Sequence, residues 1–130
     1  MKYKARKEGP ITIVTITGNM VGGAICDEFR QYMESLVEEG ARHVIFDLTD
    51  VHYVASAGAG LIVAAFTSLK NRGGDLRLVV ATERVRNLLH LIRLYRMMKV
   101  YETLAEAIAS CKESVKAEEA PAEATHEAKA

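Results

Sequence analysis

The stretch from Val44 to Leu69 constrains this chain more than any other. Val44-Ile45-Phe46 is a run of bulky apolar residues bounded by polar ones, the pattern of a strand covered on both faces, as parallel strands usually are. Asp47-Leu48-Thr49-Asp50 and Val51-His52-Tyr53-Val54 follow as a connection. Ala55-Ser56-Ala57-Gly58-Ala59-Gly60 then opens a long apolar segment that reads as a helix by its length. Leu61, Ile62, Ala64, Ala65, Phe66 and Leu69 surround that helix instead of forming one stripe, so it is expected to be buried around most of its circumference. Ser56 falls at the expected N-cap, where a side-chain oxygen accepts from the unpaired amides of the first turn. A hydroxyl is thus placed at the positive end of a helix dipole among small residues.

The flanking sequence supplies the rest of a sheet. Tyr3 to Lys7 alternates weakly and is highly charged, which suits an edge strand. Glu8-Gly9-Pro10 turns it into Ile11–Thr17, a β-branched run that reads as the second strand. So short a connection makes these two strands a hairpin. A helix is expected from about Ala24 to Glu39, with Ile25, Phe29, Tyr32, Met33, Leu36 and Val37 on one face and Gly40 at its end. Leu76-Arg77-Leu78-Val79-Val80 reads as a fourth strand, and Thr82 caps a helix whose stripe is Val85, Leu88, Leu89 and Ile92. Lys99–Glu102 suits a short fifth strand, and Leu104, Ala107, Ile108 and Cys111 mark a last helix. From Ser114 to Ala130 the chain is mostly Ala, Glu and Lys, with Pro121 and little apolar bulk. Residues 1–113 are therefore expected to form one domain and residues 114–130 a disordered tail.

The signature around Ser56 resembles that of the STAS domains, the sulfate-transporter and anti-sigma-factor-antagonist family. Asp47-Leu48-Thr49-Asp50-Val51 through Ser56-Ala57-Gly58-Ala59-Gly60-Leu61 is similar to the pattern of the bacterial antagonists. That pattern is Asp-Leu-Ser, a few apolar residues, then Asp-Ser-Ser-Gly-Leu-Gly, with its first serine phosphorylated. The resemblance places that serine on Ser56 and the two glycines on Gly58 and Gly60, and it extends over residues 3–112. This chain has Ala55, Ala57 and Ala59 where the family carries aspartate, a second hydroxyl residue and leucine. It also has Gly18-Asn19-Met20-Val21 where the family turn commonly reads Gly-Glu-Leu-Asp, in a loop that the family fold places near the serine.

Composition removes several other classes. The chain has 130 residues, 49% of them hydrophobic, which suits one domain with a real core. Its 17 basic residues balance 17 acidic ones, so no global field steers it to nucleic acid or an anionic membrane. No stretch reads as a leader or a membrane span, and Cys26 and Cys111 form no metal or CxxC pattern, so a cytoplasmic protein with reduced thiols is expected.

Each candidate site also has a plainer reading. Capping alone accounts for a serine at a helix start, but not for Ala55, Ala57, Gly58, Ala59 and Gly60 around it, which open the hydroxyl to a partner or pack the helix tightly on the sheet. Asp47 and Asp50 resemble a carboxylate pair, with local turn hydrogen bonds as the preferred explanation. Val54-Ala55-Ser56-Ala57-Gly58 followed by Asp75 and His90 has the chain order of a hydrolase triad, but Val54 stands where the nucleophile turn needs glycine. His52 is the nearest candidate base, and a loop histidine at the surface is its duller account. Arg84, Arg86, Arg93, Arg96 and Lys99 make the later helices basic, as a solvated face or one that meets an acidic partner.

The expectation is an α/β domain of STAS type: a mixed sheet of four to five strands with helices mainly on one face. It is not an enzyme and needs no cofactor or metal. The resemblance implies an anti-sigma-factor antagonist that binds a serine-kinase anti-sigma factor through Ala55, Ser56, Ala57, Gly58 and Ala59 and is controlled by phosphorylation at Ser56. The kinase supplies ATP and Mg²⁺. The alternative is a non-phosphorylated STAS subunit of a lipid-transport or signalling-scaffold complex. Neither nucleic acid binding nor membrane insertion is expected.

Overall fold

The computed structural model describes the backbone of residues 1–129 and the side chains of residues 1–118. In chain order the elements are β1 (Lys2–Glu8), β2 (Ile11–Thr17), α1 (Ala24–Glu38), β3 (His43–Asp50), α2 (Ser56–Asn71), β4 (Asp75–Val79), α3 (Glu83–Leu91), a 3-10 turn (Leu94–Arg96), β5 (Lys99–Tyr101) and α4 (Leu104–Lys129). The strands form one sheet in the order β1-β2-β3-β4-β5. The β1–β2 pair is the expected antiparallel hairpin, and the other three pairings are parallel. Charge along the β1 edge, Lys2, Lys4, Arg6 and Lys7, guards it against pairing with another chain.

Strand alternation divides the core in two. Val14 and Ile16, Val44, Phe46 and Leu48, and Leu76, Leu78 and Val80 face one side, where Phe29, Met33 and Val37 of α1, Leu61, Ile62, Ala65 and Leu69 of α2, and Val85 and Leu89 of α3 cover them. The other face is smaller. Ile11, Ile13, Ile45 and Val79 pack under Ala107 and Cys111 of α4. Three helices on one face and one on the other is the expected layering. Burial raises the Cys111 thiol pKa, and Cys26 is also buried, so both act as small core residues.

The smaller face contains a polar residue that strand periodicity treats as part of a plain apolar run. Arg77 is 1% exposed. Its Nε donates to Ser110 Oγ at 3.0 Å and one terminal nitrogen donates to Ser114 Oγ at 2.6 Å. Its other terminal nitrogen lies 3.7 Å from Asp75 Oδ2. A buried cation is tolerable only with such partners. One turn further along α4, Glu118 meets the buried His43 at 2.9 Å. The change of composition at Ser114 therefore does not coincide with the helix end: α4 continues past it, and Ser114 and Glu118 both touch the sheet. The rest of the expected tail, residues 119–130, lies outside the described side chains.

Truncation after Glu113 is expected to cost roughly 1–3 kcal/mol, because it removes hydrogen-bond partners from Arg77 and His43. Truncation after Glu118 retains those contacts and should leave stability unchanged within about 0.5 kcal/mol. Urea denaturation of the two truncated chains beside the full one separates these outcomes. Equal stability of all three would show that the α4 contacts add nothing.

Candidate functional site

The site lies at the carboxyl ends of β2 and β3, where open parallel sheets commonly place their binding crevices. Two loops meet there. The Met20 amide donates to the Tyr53 carbonyl at 2.9 Å, and the Ala55 amide donates to the Met20 carbonyl at 2.9 Å. Met20 and Val54 thus form a parallel bridge outside the main ladder. Gly18 extends the join by donating to the Asp50 carbonyl at 3.2 Å. Gly22 and Gly23, at φ 111° and 90°, give the first loop the turn it needs to enter α1.

This clamp fixes where α2 begins. Ala55, not Ser56, holds the N-cap position, with extended backbone at φ −84° and ψ 175°, and no side chain caps the helix. Ser56 is the first helical residue. The expected N-cap serine is corrected by one position, because the hydrogen bond from Ala55 to Met20 keeps Ala55 extended. The first intrahelical bond runs from the Ala59 amide to the Ala55 carbonyl at 2.9 Å. The amides of Ser56, Ala57 and Gly58 precede it and lack intrahelical acceptors, leaving a positive helix end beside the hydroxyl.

The small residues divide by role. Ser56 and Ala57 are exposed and Ala55 and Ala59 half-buried, so these four present the hydroxyl on an open surface. Gly58 is buried. A Cβ there would lie 2.4 Å from the Met20 carbonyl oxygen and 2.6 Å from Met20 Cβ. Its place in the expected partner-binding set is therefore indirect: it lets α2 approach the loop that positions its neighbours. That contact leaves no room for an alanine Cβ at Gly58 without a shift of the Met20 backbone. A Cβ on Gly60 meets nothing within 4 Å, so the tight-packing role expected there belongs to Gly58. Two exposed apolar side chains lie on the two clamped loops, Val21 next to Met20 and Tyr53 next to Val54. The resemblance places the loop of residues 18–21 near the serine, but the two backbone bonds of Met20 are what sequence reasoning missed.

The other candidates disperse. Asp47 Oδ1 accepts from the Thr49 amide at 3.1 Å and from the Thr49 hydroxyl, a local turn of the kind expected. Asp50 and His52 are exposed. Asp75 pairs in register with His43 at the start of β3, whereas Ser56 follows its end. The length of the strand, roughly 20 Å or more, separates them. His90 is stacked on Tyr95 at 4.2 Å between ring centroids. These positions assemble no triad. Among the described residues no group of three or more His, Cys, Asp or Glu is placed to hold a metal, and no helix is long and apolar enough to cross a membrane.

The chain belongs to the STAS domain family, whose model matches residues 2–107. It is 32% identical over 75 residues to a Thermotoga neapolitana protein provisionally named an anti-sigma factor antagonist. That match spans 58% of this chain and 66% of the relative's length, a little under two thirds. It is 21% identical to the anti-sigma F factor antagonist of Paenibacillus polymyxa, over 75% of this chain and 84% of that one. The fold is similar to the crystal structure of an anti-sigma factor antagonist from Mycobacterium paratuberculosis, with a TM-score of 0.77 and 18% identity over 85% of this chain and 93% of that one.

The contact at Gly58 sets a paired expectation. Gly58→Ala should destabilise by about 1–3 kcal/mol through overpacking against backbone. Gly60→Ala should be neutral or stabilising by up to about 1 kcal/mol, as helix propensity dictates in open space. Chemical denaturation of both variants tests this, and equal effects would contradict the Met20–Gly58 contact.

Proposed function

We propose that this chain is an anti-sigma-factor antagonist that works as a non-enzymatic binding switch in the cytoplasm. The start of α2 engages a serine-kinase anti-sigma factor, and Ser56 is the phosphate acceptor. Ala55, Ser56, Ala57 and Ala59 form the contact surface, with Gly58 supporting them from below. The observation that carries this reading is the exposed Ser56 at the first position of α2, on a helix end that no side chain caps. The named relatives support the same role.

The arrangement suits a switch on physical grounds. A hydroxyl that closes no cap is open to transfer, and the small flanking residues let another protein's nucleotide approach it. The γ-phosphoryl group passes from the kinase's ATP to the serine oxygen as the bond to the β–γ bridging oxygen breaks and ADP leaves, and the serine proton goes to a base on the kinase. The product adds about −1.5 to −2 charges where free amides and the helix dipole favour anions by roughly 0.3–2 kcal/mol, so the fold tolerates it. A partner surface shaped for a neutral hydroxyl does not tolerate it, because burying the new charge unpaired costs several kcal/mol.

Ala55 is the functional departure in this site. An aspartate there would place a carboxylate beside the acceptor, and its absence leaves activation of the hydroxyl entirely to the kinase. Incubation with the cognate anti-sigma kinase and Mg-ATP, followed by peptide mass spectrometry, is expected to find a single phosphate on Ser56. Ser56→Ala should abolish labelling and change stability by less than about 0.5 kcal/mol, since it removes no cap. Phosphate on another residue, or none, would favour a non-phosphorylated STAS subunit of a lipid-transport or signalling complex.

A further inference from the structure

Helix α3 has more apolar surface than its docking uses. Val85 and Leu89, four residues apart, face the core and are fully buried. Arg84, Leu88 and Leu91 lie on a second stripe at i, i+4 and i+7. Leu88 is only half-buried, and Leu91 is 80% exposed, the most exposed large apolar side chain among the described residues. This stripe forms one wall of an open groove of about 550 Å³ whose other wall is Tyr53 and Val54. Val54 is the residue bridged to Met20 and lies two positions before Ser56, so the groove runs up to the candidate site. Large apolar groups left in water beside a concave surface mark a place where another molecule binds.

Charge indicates what that molecule carries. Arg84 lines the groove, and Arg93 and Arg96 are exposed just beyond the end of α3. Among the described residues none of these three forms an ion pair, whereas Arg86 meets Glu102 at 3.5 Å. Arg93 ends the helix at φ 60° and ψ 28°, a left-handed conformation that glycine would adopt more easily. A cation is kept at the tip where the backbone would prefer another residue. Exposed Ile92 and Met97 add apolar surface next to Arg93 and Arg96 in sequence.

We propose that the groove between the β3–α2 loop and α3 binds an acidic amphipathic helix of the protein partner, apolar side against Tyr53, Leu88 and Leu91, carboxylates toward Arg84, Arg93 and Arg96. The proposal rests on the reading that this end of the sheet meets a protein, and it gives that protein a second point of contact separate from the hydroxyl. The concave wall suits an inserted helix, while the arginines select its acidic flank.

The test uses the full chain, isotopically labelled, with a synthetic peptide of about 18 residues. Leu repeats in the peptide at helical spacing and Glu fills its polar face, and a control peptide has Lys in place of Glu. The Glu peptide should shift the amide resonances of Tyr53, Val54, Leu88 and Leu91 and bind at least about tenfold more tightly than the Lys peptide, a difference of about 1.4 kcal/mol. Leu91→Ala and Arg84→Glu, both at exposed positions, should each weaken it at least about fivefold. The peptide is titrated into the unmodified chain with no kinase or ATP present, so failure of the phosphorylation reading leaves this result standing. Equal binding of the two peptides, shifts confined to other surfaces, or no binding at about millimolar concentration would overturn the proposal. Sedimentation of the chain with phosphatidylglycerol vesicles, lost in Leu91→Ala, would also overturn it by making this surface a membrane contact.

Discussion

The backbone of Met20 holds the candidate site together. Its amide and carbonyl are both used by the other loop, at Tyr53 and Ala55, and its carbonyl also lies against the bare Cα of Gly58. Parallel strands leave their connecting loops free at the carboxyl edge, and without such a join two loops would position a helix end only loosely. Here the join keeps Ala55 extended, starts α2 at Ser56 and leaves the first three amides of that helix unpaired. The exposure of the hydroxyl and the positive potential beside it follow from one two-sided backbone contact.

The two faces of the sheet carry different tasks. The side under α1, α2 and α3 is almost wholly apolar and holds the clamped loops and the groove along α3. The side under α4 is small and contains Arg77 and His43, each buried and bonded to a side chain of α4. The family model ends at residue 107, inside α4, while Ser110, Ser114 and Glu118 lie beyond it. Arg77 is thus covered by residues past that boundary: a cation in the sheet is matched by hydroxyls on the helix that crosses it.

Much of the fold was legible because its elements repeat at their own periods. The β-branched run Ile11–Thr17, the apolar run at Val44 and the stripe Phe29, Met33 and Val37 each specify element and face. What could not be read depends on residues far apart in sequence. Nothing near Gly58 reveals that Met20 fills the space where its Cβ would be, so a packing glycine resembled an exposed one. Nothing near Ser56 reveals that a hydrogen bond made by Ala55 moves the helix start by one residue. Arg77 read as an ordinary strand residue because its serines lie 33 and 37 positions later. Leu88 and Ile92 fitted the same helical stripe as Val85 and Leu89, yet only Val85 and Leu89 are fully buried. The presence of Ser56 and its small neighbours was visible locally, and their arrangement was not.

The central claim is that one hydroxyl decides whether this surface is open to a protein partner. It is tested most directly by calorimetric titration of the anti-sigma factor with the unmodified chain and with the chain phosphorylated at Ser56, their circular dichroism spectra being compared in parallel. The account predicts identical spectra and an affinity at least about 100-fold lower for the phosphorylated form, a loss of about 2.7 kcal/mol or more. Equal affinities with an intact fold would contradict it.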